Sequence, residues 1–93
     1  MPTRVEFRRS AYKSLRTLPA HIVLKLKAWV AGVELLGLRE IRKRPGFHDE
    51  PLHGDRRGQR SIRLSHAYRA IYIETKNGEI ELVEILEVTK HEY

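Results

Sequence analysis

The 93-residue sequence contains no cysteine, one tryptophan and one methionine, and aromatic residues make up only 8% of it. The absence of cysteine excludes disulfide bonds and thiolate metal sites, and it suits a cytosolic protein. No apolar run approaches the roughly 18 residues of a membrane span, and the opening MPTRVEFRR lacks the apolar segment of a signal peptide. We therefore expect a soluble, cytoplasmic protein with no membrane partner.

Motifs for metal, nucleotide or covalent chemistry are missing as well. The chain has no GxGxxG segment, no P-loop, no HExxH and no serine in a GxSxG elbow. Its five histidines show no short ligand spacing, since even His48 and His53 lie five residues apart in a loop. We therefore expect no metal site, no cofactor and no covalent serine or cysteine mechanism.

Positive charge is what the sequence has in excess. The formal net charge is +6 and the pI is about 10.0, which favours a polyanionic partner such as nucleic acid, or an acidic protein. Residues 1–45 hold 11 Lys and Arg against 3 Asp and Glu, a balance of +8, whereas residues 46–93 hold 7 against 9, a balance of −2. A site in the second half must therefore use a few well-placed cations. A solvated basic surface without a partner is the alternative.

The apolar pattern predicts one small domain over residues 1–93, because a chain this short cannot build two cores. Alternation predicts a strand over residues 3–7. Helical spacing predicts a first helix from an N-cap at Ser10 to about Leu18, and a second that starts at Pro19 and ends at Gly37. Together these two helices form a hairpin.

The second half of the chain is predicted to form strands. Residues 38–45 are an irregular or one-turn basic stretch and residues 46–58 a polar loop. Strands follow over residues 59–65, 68–75 and 79–88, with a type I′ turn at Asn77-Gly78 and an irregular third strand that allows a bulge. The order β-α-α-β-β-β predicts an α+β fold with the two-helix hairpin packed on one face of a small antiparallel sheet.

Alternation along the strands also predicts which residues the helices leave uncovered. Tyr68 and Tyr72 should pack under the helices, which leaves Arg63 and Arg69 on or beside an open sheet face. The alternative is that these arginines only form surface ion pairs with acids of the third strand, Glu81 or Glu84.

Several residue types that metal-free RNA cleavage requires occur in this half. The reaction needs a base for the 2′-OH proton, cations for the charge on the phosphate, and an acid for the leaving 5′-oxygen. The guanidinium fork of arginine matches phosphate oxygens, and an exposed aromatic ring can stack on a base. The candidates are Glu50, His53, Arg63, Arg69, Lys90, His91 and Tyr93. Each could instead be a solvated surface residue, and the last four residues a frayed tail.

Residues 49–72, DEPLHGDRRGQRSIRLSHAYRAIY, resemble the central segment of the HigB- and RelE-like toxins of the RelE/ParE superfamily. Those proteins carry a Pro-Leu-x-Gly loop, a glycine before a strand and an arginine on the following strand. The closing VTKHEY, residues 88–93, resembles their catalytic tail. With the predicted element order, the resemblance spans essentially the whole chain. It implies a RelE-like fold and an mRNA endonuclease that works in the ribosomal A site and is held inactive by a co-encoded antitoxin.

The resemblance also implies roles for single residues. Glu50 matches a loop position that supplies an acid or a histidine, His53 a position that is often lysine, and Arg69 the strand arginine that contacts the scissile phosphate. Histidine at position 53 would make activity more sensitive to pH. The remaining expected site residues are Arg63, Arg60, Arg56 and Arg57 for RNA binding, and Lys90, His91 and Tyr93 at the terminus.

Two other functions remain open. The superfamily includes gyrase-poisoning toxins, which share the fold but generally lack the terminal catalytic residues, so the fold alone does not choose between them. A non-enzymatic module that binds RNA or a protein is the other alternative. The KHEY tail together with Arg69 favours the ribonuclease, although Glu92 separates the usually adjacent terminal pair. The expected partners are mRNA, ribosomal RNA and the cognate antitoxin protein.

Overall fold

The computed structural model describes residues 2–78 and 80–90. Its elements in chain order are β1 (Thr3–Phe7), α1 (Arg9–Ser14), α2 (Ala20–Leu36), α3 (Leu38–Arg42), β2 (Glu50–Pro51), β3 (Arg60–Arg63), β4 (Tyr68–Asn77) and β5 (Ile80–Lys90). Two single-turn 3-10 helices, Pro45–Phe47 and Gly54–Arg56, flank β2. The predicted α+β fold, with helices packed against a sheet, is confirmed. No helix in these two ranges has the length and apolar character needed to cross a membrane.

The second helix follows the prediction and the first departs from it. Helix α2 starts after Pro19 and ends before Gly37, whose φ of 89° suits a residue without a side chain. The N-cap of α1 is Arg8 rather than Ser10, and α1 ends at Ser14 instead of near position 18. The Ser14 hydroxyl donates to the carbonyl of Ser10 at 3.0 Å, a side-chain bond that competes with regular helix geometry.

The sheet has the order β1-β5-β4-β3-β2. Strands β2 to β5 pair antiparallel, as expected, but β1 lies parallel to β5, so the sheet is mixed. Almost the whole chain separates β1 from β5, so no tight turn sets their relative direction. Alternation within β1 could therefore predict that it is a strand, but not its direction in the sheet.

Strand β5 contains the irregularity that its broken alternation indicated. Ile71 pairs with Glu87 and Tyr72 with Ile85, which leaves Leu86 as the extra residue of a bulge. At the other end of the hairpin Asn77 pairs with Ile80. The connection therefore begins at Gly78, with φ 59°, one residue later than the predicted turn.

The core lies between the helices and one face of the sheet. Trp29 of α2 and Tyr72 of β4 are 1% and 0% exposed, and their rings lie 5.1 Å apart at 48°. Tyr68 packs at the edge of this core, as predicted. Helix α3 approaches α2 closely at Gly32, where a Cβ atom would lie 2.7 Å from Cδ1 of Ile41.

A matched pair of leucines on α2 tests this assignment of the core. Leu26 is 1% exposed and Leu35 is 82% exposed. Leu26→Ala should lower the free energy of unfolding by about 2–5 kcal/mol, because a buried side chain is replaced by a cavity. Leu35→Ala should change it by less than about 0.5 kcal/mol. Urea denaturation of both variants measures the difference, and equal losses would show that the buried face is wrongly assigned.

Candidate functional site

A cavity of about 250 Å³ opens where β3 extends beyond the short strand β2. Three of the predicted site residues, Glu50, Arg63 and Arg69, line this cavity together. The other lining residues are His48, Ser61, Ile62, Ser65, His66 and Tyr68. The cavity therefore combines one carboxylate, two guanidinium groups and two imidazoles.

Arg63 and Arg69 are direct cross-strand partners in the β3–β4 pair. Directly opposed residues of an antiparallel pair lie on the same face of the sheet, so both arginines lie on one face at the cavity. Arg63 is exposed and forms no salt bridge within residues 2–78 and 80–90. The two acids of β5 that the sequence suggested as ion-pair partners have contacts on the β1 side, Glu81 with Thr3 at 3.1 Å and Glu84 with Arg8 at 3.4 Å.

The turn between β3 and β4 fixes the end of the sheet that carries both arginines. The Ser65 hydroxyl oxygen accepts from the amides of Ala67 and Tyr68, both at 3.2 Å, as serine commonly does in turns. The amide of Leu64 donates to the carbonyl of Tyr68 at 2.9 Å. His66 in this turn was missed as a site residue, although a histidine between two arginine-bearing strands could have indicated it.

Glu50 reaches the cavity because of the residue that precedes it. Glu50 pairs with Ser61 across β2 and β3, whereas the side chain of Asp49 is 1% exposed and points inward. The Asp49 carboxylate accepts from Nε of Arg60 at 2.6 Å and from the Tyr72 hydroxyl. Arg60, expected to bind RNA, is therefore bonded to an interior carboxylate.

Arg42 of α3 completes this interior group. Its Nε lies 3.8 Å from Asp49, and its Nη2 donates to the Tyr72 hydroxyl at 3.4 Å and to Glu74 at 3.3 Å. Burial raises the pKa of the Tyr72 hydroxyl, and its hydrogen bond to the Asp49 carboxylate raises that pKa further. We call Arg42, Asp49, Arg60, Tyr72 and Glu74 the Asp49 cluster. It joins α3, the loop before β2, β3 and β4.

The loop after β2 corrects the expectation of a wholly open sheet face. Nη2 of Arg56 donates to Glu87 at 2.7 Å and Nη1 to Gln59 at 2.9 Å. Strands β4 and β3 separate β5 from the strand that precedes this loop. The bond between Arg56 and Glu87 therefore holds the loop across the sheet. Ile71 is accordingly only 5% exposed, although it faces away from the helices. The end of the face that bears Arg63 is the part that stays accessible.

The remaining predicted residues lie outside the cavity lining or outside the described ranges. His53 is exposed at the residue before the 3-10 turn Gly54–Arg56, and Arg57 is exposed just beyond that turn. Lys90 is exposed at the end of β5, opposite the cavity residue Tyr68. His91 and Tyr93 lie outside residues 2–78 and 80–90.

Comparison with known proteins gives a fold. No protein-family model and no curated protein sequence matches the chain. Among solved structures, a chain of the toxin–antitoxin complex RelBE2 from Mycobacterium tuberculosis is 27% identical, with 99% of this chain and 100% of that one covered and a TM-score of 0.68. A chain of the archaeal RelE–RelB complex from Pyrococcus horikoshii is 25% identical, with 97% of this chain and 96% of that one covered and a TM-score of 0.71. The YoeB/ParE toxin from Agrobacterium tumefaciens is 19% identical, with 96% of this chain and 99% of that one covered and a TM-score of 0.72. The chain has the RelE/ParE-like toxin fold.

The raised pKa of Tyr72 gives a test of the Asp49 cluster. Below the ordinary tyrosine pKa of 10.0 the hydroxyl is protonated in both folded and unfolded chains, and this group causes no pH dependence. Above it, the unfolded chain loses the proton first, so stability falls by up to about 1.4 kcal/mol per pH unit. Tyr72→Phe should remove this part of the slope in denaturation series above pH 10. In absorbance titrations, the Tyr72 hydroxyl should stay protonated until the chain unfolds, so Tyr72→Phe should leave the absorbance change before unfolding unaltered. A smaller change before unfolding in Tyr72→Phe would contradict the arrangement.

Proposed function

We propose that the protein is the toxin of a type II toxin–antitoxin system and acts in the cytoplasm as a metal-independent mRNA endonuclease. The 2′-OH of the substrate would attack the scissile phosphate, leaving a 2′,3′-cyclic phosphate and a 5′-OH. The observation that carries this proposal is the cavity that Glu50 lines together with the cross-strand partners Arg63 and Arg69. The resemblance of residues 49–72 and 88–93 to HigB- and RelE-like toxins supports it, as do fold neighbours described as toxins and toxin–antitoxin complexes.

The arginines hold the scissile phosphate. A phosphodiester bound at Arg63 and Arg69 meets two guanidinium groups on one face of the sheet, and each can donate two hydrogen bonds to phosphate oxygens. The same bonds become stronger as negative charge grows on those oxygens in the transition state. Arg60 and Arg56 bond carboxylates of the protein and do not line the cavity, so they do not contact the scissile phosphate.

The carboxylate of Glu50 takes the proton from the attacking 2′-OH. Glu50 lines the same cavity as the strand arginines, and its backbone is fixed by pairing to Ser61. His53, the other loop candidate, does not line the cavity, so Glu50 is preferred over His53 as the base. Lys90 or His91 then protonates the leaving 5′-oxygen, and Tyr93 stacks on a base.

The +8 half of the chain docks the toxin on ribosomal RNA, and a cognate antitoxin protein blocks the site in resting cells. Because docking on RNA releases counterions, binding to ribosomes should weaken steeply between about 50 and 200 mM salt. Sedimentation of the protein with ribosomes over this range measures the slope. Binding that does not depend on salt would contradict this part of the proposal.

The site assignment is tested by induced expression of wild type, Arg69→Ala, and a chain that ends at Thr89. Wild type should arrest growth and cut translated messages, whereas both variants should be harmless although folded. Lys76→Ala is the matched control, because Lys76 is an exposed cation of the same strand outside the cavity lining, and this variant should stay toxic. Growth arrest and primer extension on messages are the measurements, with circular dichroism as the check on folding.

The gyrase alternative predicts a different pattern in the same experiment. A gyrase poison would stay toxic without residues 90–93, and it would cause DNA damage without cutting RNA. Either result would overturn the ribonuclease proposal. A binding module without toxic activity would leave growth and translation unchanged even in wild type.

A further inference from the structure

Asp49 lies between two cavity residues but points away from the cavity. His48 and Glu50 both line it, whereas the Asp49 carboxylate is 1% exposed and bonded to Arg60 and Tyr72. The chain at this point therefore sends neighbouring side chains to opposite sides. Whatever fixes Asp49 also fixes the residues on either side of it.

His48 has a backbone conformation that needs such support. Among residues 2–78 and 80–90 it is the non-glycine residue with positive φ, at φ 46° and ψ 52°. This left-handed conformation is unfavourable for a residue with a Cβ atom, and it persists where the surroundings impose it, often at functional sites.

Anchors on both sides of His48 impose that conformation. Phe47 packs against the core, and Nζ of Lys25 lies 4.9 Å from the centre of its ring. On the other side is Asp49, bonded to β3 and β4. The amide of His48 donates to the carbonyl of Pro45 at 3.2 Å, which closes the turn between the two anchors. With Phe47 and Asp49 both held inward, the imidazole between them is directed to the cavity.

We infer that Asp49 is a positioning residue that holds His48 and Glu50 against the cavity, and that His48 is a further residue that contacts the RNA phosphodiester bound there. The inference rests on the proposed function for its ligand class. The imidazole of His48 lies on the loop wall of the cavity, where it can donate a hydrogen bond to a phosphate oxygen of the bound RNA. Loss of the Asp49 anchor moves this wall and leaves the arginine wall in place.

The test compares Asp49→Asn with Glu74→Gln as the matched control. Both changes remove one carboxylate charge from the Asp49 cluster, but Glu74 lies on β4 and bonds Arg42 without touching the loop. Tyr72→Phe is the second variant. It removes a donor to Asp49 and retains the bond from Arg60, which keeps the inference testable if Asp49→Asn does not fold.

The first readout does not require cleavage. A short RNA with 2′-O-methyl groups, which cannot undergo 2′-OH attack, is titrated into each protein while the backbone amides are followed by NMR. In wild type and Glu74→Gln the amides of residues 48, 50 and 63 should all shift. In Asp49→Asn the shift at Arg63 should remain, and those at His48 and Glu50 should be lost. Tyr72→Phe should show the same loss in part.

The second readout is cleavage of a translated message in a purified translation system. A displaced wall should lower kcat on the order of 100-fold, with a smaller change in KM, in a protein that is folded at the assay temperature. His48→Ala should lower the rate in the same direction, and Glu74→Gln should match wild type.

The outcomes distinguish failure of the proposed function from failure of the inference about Asp49 and His48. If wild type binds the RNA but does not cut messages, the proposed function fails and the amide shifts alone decide the role of Asp49. The inference is overturned if folded Asp49→Asn, or Tyr72→Phe in its place, keeps wild-type shifts at His48 and Glu50. It is equally overturned if residue 48 does not respond to RNA in wild type.

Discussion

The carboxylate of Asp49 is the interaction on which the rest of the structure depends. It is withdrawn from water, so its charge must be balanced, and Arg60, Arg42 and the Tyr72 hydroxyl surround it. Removing one charged member of a buried ion pair costs about 3–5 kcal/mol, because the other is left with an uncompensated charge. Through these bonds, a loop with little regular structure is held to one helix and two strands.

The candidate site follows from this arrangement. One wall of the cavity belongs to the loop that Asp49 anchors, and the other belongs to β3, β4 and the turn that Ser65 holds. Arg60 and Arg56 bond carboxylates of the protein and do not line the cavity, and Arg63 and Arg69 line it as cross-strand partners. Two guanidinium groups on one face at the cavity favour an anionic ligand.

The spacing of residues along the sequence predicts much of this fold and of the candidate site. Helical spacing with Pro19 and Gly37 predicted α2, and strand alternation predicted a core Tyr72 and a shared face for Arg63 and Arg69. The same alternation places Arg60 on the face opposite to Arg63. That position already indicated an inward side chain, in contrast to the predicted contact with RNA. Three features required distant contacts and could not be read locally: the direction of β1, the partners of Asp49, and the loop that Arg56 ties across the sheet. The roles of His91 and Tyr93 remain predictions, since both lie outside the described residues.

The central claim is that the cavity cleaves RNA by attack of the 2′-OH on a phosphate held by Arg63 and Arg69. The most direct measurement is the chemical identity of the ends that the protein leaves on a translated message. Attack by the 2′-OH should leave a 5′-OH and a 2′,3′-cyclic phosphate. Ends with a 5′-phosphate, or intact messages beside broken DNA, would contradict it.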